Sequence, residues 1–298
     1  MKILVIGAGA VGGYYGGRLA QAGHDLYFVA RGEQLQAITQ NGLQVSSIQG
    51  DFTIQPKAQK SFEPIPDLGL ILVCVKRKDT VGILDTLKAQ TGAGTIAITL
   101  QNGVDTEKAL MDAVPPERIV GGIAFLGAEL TAPGRIRHTA SGKITIGELD
   151  GSQSPRLAEL QKLFEGAQIP CSISADIVKA KWEKLLWNVG FNGICAIAGL
   201  STHKVVQHPG KREIVRRLME EHIQVAQGLG IKINPALVDK YLDNAANGGD
   251  VVPSTLQDVR KGKATEIDYM NGKVVEEGRK LGIPVPYNET IWVSVSAI

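Results

Sequence analysis

Two segments of this chain carry side chains whose types and spacing could do chemistry. Near the start, Lys2 to Gly12 reads KILVIGAGAVG, and Gly7, Gly9 and Gly12 form the pattern G-x-G-x-x-G. Each glycine has its own task at a phosphate: the first allows a tight turn, the second lets backbone approach a pyrophosphate, and the third lets strand and helix pack closely. A helix opening at this turn would aim the N–H groups of Ala8, Ala10 and Val11 and its positive dipole end at the phosphates. Further on, Lys179 to Leu200 reads KAKWEKLLWNVGFNGICAIAGL, with Lys184, Asn188 and Asn192 four residues apart on one helical face. No charged residue follows Lys184 until Lys204. A solvated face usually carries Glu and Lys, so this polar stripe reads as one that meets a ligand. A lysine facing a bound carbonyl can donate a hydrogen bond and then a proton as charge grows on oxygen. Lys181 lies near the same side.

The elements that must position these groups follow from the hydrophobic pattern. Ile3–Ile6 reads as a strand, 11–22 as a helix and 26–30 as a second strand. Strands are expected again at 70–75 and 95–99, with a helix over 80–89 between them. This alternation predicts a mostly parallel sheet covered on both faces. From 119 to 148 the pattern turns to extended segments with turn signals, as in antiparallel strands added to the sheet. A helix over 154–166 and a short extended stretch near 171–174 come next. Beyond 176 only helix-period segments remain. The fold class expected is therefore α/β, a dinucleotide-binding domain over 1–171 followed by an all-helical domain over 172–298.

The second strand ends at Phe28-Val29-Ala30-Arg31, nineteen residues after Gly12. An acid there would hold ribose hydroxyls, whereas a guanidinium suits the additional 2′-phosphate of NADPH. Lys76, at the end of the 70–75 strand, shares that edge of the sheet. Ser254 with Gln257 fits a helix capping box, and Glu266 fits an acid near a helix start.

Bulk properties narrow the class. The chain has 298 residues, 44% apolar and 21% charged, enough for a sizeable core. Its 32 basic and 30 acidic residues are dispersed, with no block suggesting a nucleic-acid or membrane partner. Cys74, Cys171 and Cys195 are widely spaced, as buried apolar residues are, so neither disulfides nor a metal site is expected. The N-terminal apolar run is too short for a signal peptide, and 185–200 contains two asparagines and three glycines, a poor membrane span. A cytoplasmic protein is expected.

Taken together, GAGAVG, Arg31, Lys76, the Gln101-Asn102-Gly103 turn, the Lys184…Asn188…Asn192 stripe, and Ser254 with Glu266 in Thr-Glu-Ile-Asp-Tyr resemble the ketopantoate reductases across essentially the whole chain. The resemblance implies a Rossmann domain joined to a helical one and NADPH-dependent reduction of 2-dehydropantoate to (R)-pantoate, on the way to pantothenate and coenzyme A. It implies Lys184 as general acid and Glu266 as the carboxylate holding the substrate hydroxyls. Asn102, Asn188, Asn192 and Ser254 would orient substrate and cofactor. A relative acting on another branched 2-keto acid, and an inactive NADPH-binding sensor, are the alternatives. The partner expected is a small 2-keto acid, with a homodimer possible.

Overall fold

The computed structural model describes residues 1–298 as two compact units, Met1–Gln101 with Asp105–Ile177, and Asn102–Val104 with Val178–Ile298. The expected division at 171/172 differs in two places. Residues 172–177 stay with the sheet because β10 (Cys171–Ile173) pairs in parallel with Ile144–Ile146, and Ile177 packs on Gly121 and Gly147. Asn102–Val104 groups with the helices, where Val104 joins their apolar core.

The first unit is built on a ten-stranded sheet. Its strands are β1 (Lys2–Ile6), β2 (Asp25–Val29), β3 (Leu43–Ser47), β4 (Phe52–Ile54), β5 (Lys57–Gln59), β6 (Leu68–Val73), β7 (Ile96–Thr99), β8 (Ile119–Ala132), β9 (Arg135–Gly147) and β10. They run in the order β4-β3-β9-β8-β7-β6-β1-β2-β5, with β10 beside β9. From β5 to β8 every pairing is parallel, and β8 and β9 form the long antiparallel hairpin. The central strands are continuous apolar runs, as strands covered on both faces must be. Alternate residues of β1 serve different faces: Ile3 and Val5 join one core with α1 (Ala10–Gln21) and α4 (Pro155–Gly166), while Leu4 and Ile6 join the other with Ile83 and Leu87. Full burial of each such side chain contributes on the order of 2 kcal/mol.

Two features differ from the sequence reading. The helix expected over 80–89 is two 3-10 turns, Arg77–Asp79 and Val81–Ile83, followed by α3 (Leu84–Gln90). Gly82 weakens the α-helix there, and the Thr80 hydroxyl bonds back to the Arg77 carbonyl. Between β2 and β6 lie α2 (Gly32–Asn41) and the strands β3 to β5, of which β4 and β5 form the two edges of the sheet; the hydrophobic pattern does not reveal them.

The second unit is helical: α5 (Ile177–Ala198), α6 (Thr202–Val206), α7 (Pro209–Gly228), α8 (Ala236–Asn247), α9 (Ser254–Arg260), α10 (Asn271–Leu281) and α11 (Pro286–Ser296). The middle of α5 lies in the core, with Leu185, Leu186, Val189, Phe191 and Cys195 buried. Two of its glycines allow close packing. A Cβ at Gly190 would overlap Met219 of α7, and one at Gly193 would overlap Ile291 of α11. No helix is long and apolar enough to cross a membrane.

Candidate active site

The glycine turn shows what each glycine is for. Gly7 has φ +105°, and a Cβ there would come within 2.7 Å of the Val75 nitrogen. Gly12 sits where a Cβ would overlap the Gly7 carbonyl oxygen, so strand and helix can meet only without one. Gly9 is different. Its backbone (φ −78°, ψ −164°) suits any residue, and an added Cβ would meet no protein atom within 4 Å. Nothing in the protein requires glycine at that point, whereas a pyrophosphate lying on the turn would. Gly9 caps α1 without a side-chain hydrogen bond, and no acid occupies the first turn. The opening N–H groups of the helix, from Ala10 and Val11 onward, therefore have no side-chain cap, as at a phosphate site. These features fit a dinucleotide.

The parallel order places other groups on the same edge. β1 lies between β2 and β6, so the glycine turn, Arg31 after β2 and Lys76 after β6 all follow carboxyl ends of adjacent strands. In open α/β sheets ligands bind at that edge. Arg31 is exposed at the N-cap of α2, with an acid, Glu33, in the first turn behind it. Gln34 of the same helix donates through Nε2 to the Ala8 carbonyl and accepts from Gly134 N–H through Oε1, at 2.8 Å. One amide thus ties the glycine turn, α2 and the β8–β9 hairpin together. No local sequence signal marks Gln34, because its partners are 26 and 100 residues away.

The helical unit gathers the other candidates. Lys184 donates through Nζ to Asn102 Oδ1 at 2.9 Å, and Asn102 Nδ2 in turn reaches Glu266 Oε2 at 3.5 Å. Four residues along α5, Asn188 is half-buried and forms no hydrogen bond from its amide to the protein. A further turn on, buried Asn192 donates to Ser254 Oγ at 3.4 Å and to Met270 Sδ at 3.2 Å. The stripe therefore has a charged end, a free amide and an amide engaged with Ser254. Glu266 precedes the 3-10 turn Ile267–Tyr269 without capping it. The expected capping box is absent: Ser254 is the first residue of α9, Pro253 occupies the cap, and Gln257 donates instead to the Val252 carbonyl. Pro253 fixes the entry to this short helix, which leaves Ser254 Oγ for Asn192.

Electrostatics single out Lys184. Removal from water, with the Lys181 charge on the preceding turn, pushes its ammonium down to about 8 against the opposing pull of Glu266. Lys181 is itself buried. An acid poised near physiological pH is suited to giving up a proton. The cysteines have no such poise, since all three are free and burial pushes the Cys171 and Cys195 thiols up to about 12 and Cys74 up as well.

Known proteins give this arrangement a family. Residues 3–151 match the model for ketopantoate reductase PanE/ApbA, and residues 176–298 match that for its C-terminal part. A 2-dehydropantoate 2-reductase of Mesorhizobium japonicum is 32% identical over 308 aligned positions, covering 96% of this chain and 94% of its own. The crystal structure of a 2-dehydropantoate 2-reductase from Geobacter metallireducens superposes with a TM-score of 0.93 at 33% identity, covering 100% of this chain and 99% of the other. A D-mandelate dehydrogenase solved with NADH and anilino(oxo)acetate superposes with a TM-score of 0.94 at 25% identity, covering 100% and 97%. The chain belongs to the PanE/ApbA ketopantoate reductase family, a family of NAD(P)-dependent oxidoreductases.

Proposed function

We propose that this chain reduces 2-dehydropantoate to (R)-pantoate with NADPH, a cytoplasmic step in supplying pantothenate and coenzyme A. The observation that carries the reading is Lys184, a partly desolvated ammonium tuned to about 8 and joined through Asn102 to Glu266. The nicotinamide, when bound, supplies the hydride. In this reading Gly7, Ala8, Gly9, Ala10, Val11 and Gly12 hold the pyrophosphate, Arg31 the 2′-phosphate, and Lys76 and Asn102 other parts of the cofactor. Lys184 Nζ hydrogen-bonds the keto oxygen and gives it a proton as the alkoxide forms. Glu266 accepts from the substrate hydroxyl and keeps Asn102 turned toward the lysine. Asn188, Asn192 and Ser254 orient the carboxylate end.

Oxidation of NADPH followed with a panel of 2-keto acids tests this. The highest kcat/KM should fall on 2-dehydropantoate, and Lys184→Ala should lower kcat far more than it weakens NADPH binding. A second reading, reduction of a different 2-keto acid with NADH, is favoured by the likeness to D-mandelate dehydrogenase and by Glu33 beside Arg31. Faster turnover of phenylglyoxylate with NADH would establish it. Binding of NADPH with no turnover of any keto acid would favour a sensor. A homodimer is part of the proposal, and light scattering of the purified chain measures it.

A further inference from the structure

Gln101 precedes Asn102 and is almost wholly buried, yet its side chain is polar, and both amide hydrogens and the amide oxygen are engaged. Nε2 donates to the Val75 carbonyl at 3.0 Å and to Thr80 Oγ1 at 2.9 Å, while Oε1 accepts from Thr99 Oγ1 at 3.0 Å. The amide can face only one way, since a carbonyl such as that of Val75 accepts and never donates. Thr80 passes the chain on, its hydroxyl donating to the Arg77 carbonyl at 2.7 Å. Thr80, Thr99 and Gln101 are all buried, so each of these bonds forms where water does not compete.

The consequence is a clamp on a short piece of backbone. Residues 75 and 80 are held by the two hydrogens of one amide, and between them lies Lys76, whose carbonyl accepts from Asp79 N–H at 2.9 Å. The Val75–Thr80 turn after β6 holds no α-helix to fix it: it contains only the 3-10 turn Arg77–Asp79, and α3 does not begin until Leu84. Gln101, anchored at the end of β7, supplies what local structure does not.

We propose that Gln101 is a positioning residue for dinucleotide binding, acting by holding the Val75–Thr80 turn so that Lys76 meets the cofactor. The inference rests on the reading above that Lys76 contacts the dinucleotide. Gln101→Met keeps the length and removes the three side-chain bonds. Thr80→Val removes two of the chain's links from the other end with little change of shape, and Thr80→Ser keeps them.

The test is fluorescence titration of the full-length protein with NADPH, no keto acid present, alongside thermal melts. Gln101→Met and Thr80→Val should each weaken NADPH binding about tenfold, Thr80→Ser should bind like the parent, and Gln101→Met added to Lys76→Ala should weaken it less than twofold further. Should Gln101→Met fail to fold, Thr80→Val in the same cycle with Lys76→Ala decides the matter. Tight binding by Gln101→Met and Thr80→Val, or effects that multiply with Lys76→Ala in full, would overturn the proposal even if melting temperatures fell. Failure of the unmodified chain to bind either NADPH or NADH would instead remove the dinucleotide reading, and this inference with it.

Discussion

Replacing Lys184 by methionine should abolish reduction and stabilise the protein at neutral pH. Burial and Lys181 bring the ammonium from its ordinary 10.5 to about 8. A fall of about 2.5 corresponds to roughly 3 kcal/mol of preference for the neutral amine in the folded chain. Below pH 8 both folded and unfolded chains carry the proton, so the folded state bears the whole cost. Between about 8 and 10.5 the folded chain has released the proton while the unfolded chain still holds it. Stability therefore rises with pH across that window, and the cost is gone above it. Methionine removes the charge and keeps most of the stem. It also gives up the bond to Asn102 Oδ1, a loss of about 1 kcal/mol. The net gain at pH 7 is about 2 kcal/mol, a Tm higher by roughly 5 °C. Melts of parent and Lys184→Met without ligand, at pH 7 and again near 10, give the difference directly. The gap should shrink or invert at the higher pH. A gap independent of pH would show that the lysine sits in the fold at no electrostatic cost, and would take away the physical basis for calling it a tuned acid.

The same group predicts that kcat falls as pH rises through about 8 in the parent, read from initial rates at saturating NADPH and keto acid. Gly9→Ala and Gly12→Ala should separate folding from binding: Gly9→Ala keeps the parent Tm but weakens NADPH at least tenfold, while Gly12→Ala lowers the Tm because its Cβ overlaps the Gly7 carbonyl. Arg31→Ala should raise the KM for NADPH by about ten- to a hundredfold and leave that for NADH nearly unchanged, the loss expected when a charged fork leaves a phosphate. Glu221→Ala, which strands the N–H groups of Tyr287 and Asn288 and one hydrogen of the Asn288 amide, should cost about 3 kcal/mol in urea unfolding, and Glu221→Gln less.

What the sequence makes legible follows from the range of the forces involved. The strand expected at Ile3–Ile6 is found as Lys2–Ile6, and the helix after it starts within a residue of its expected place, because strand, glycine turn and helix are local in sequence. The stripe of Lys184, Asn188 and Asn192 is legible for the same reason, a spacing of four in one helix. Asn102 and Glu266 are not, since their partners lie 82 and 164 residues away and only resemblance points to them. The short outer strands fail differently. β3 (LQVSS) and β5 (KAQ) are short and half polar, and Gln44 pairs with Arg135, far along the chain. Ser254 shows a local rule losing to a neighbour: its type suits a cap, but Pro253 takes the capping position.

The polar stripe depends on how firmly the rest of α5 is held. Its backbone carries two additional hydrogen bonds from buried side chains: His222 Nε2–H donates to the Trp182 carbonyl at 2.9 Å, and Asn271 Nδ2 to the Val189 carbonyl at 3.1 Å. Burial pushes His222 down to about 4, so it stays neutral and keeps a single tautomer across the physiological range. Asn271 also donates to Asn288 Oδ1 at 3.0 Å, and Asn288 is bound by Glu221, which receives the first N–H groups of α11. A continuous line of buried bonds thus runs from the start of α11 to the turn of α5 between Asn188 and Asn192. Gly190 and Gly193 let α7 and α11 close on the helix as well. With α5 fixed by α7, α10 and α11, Lys184 cannot relax its desolvation by shifting the helix toward water. The low pKa is then a property of the scaffold as much as of the site, and the stabilisation expected for Lys184→Met is the measure of what that scaffold withstands.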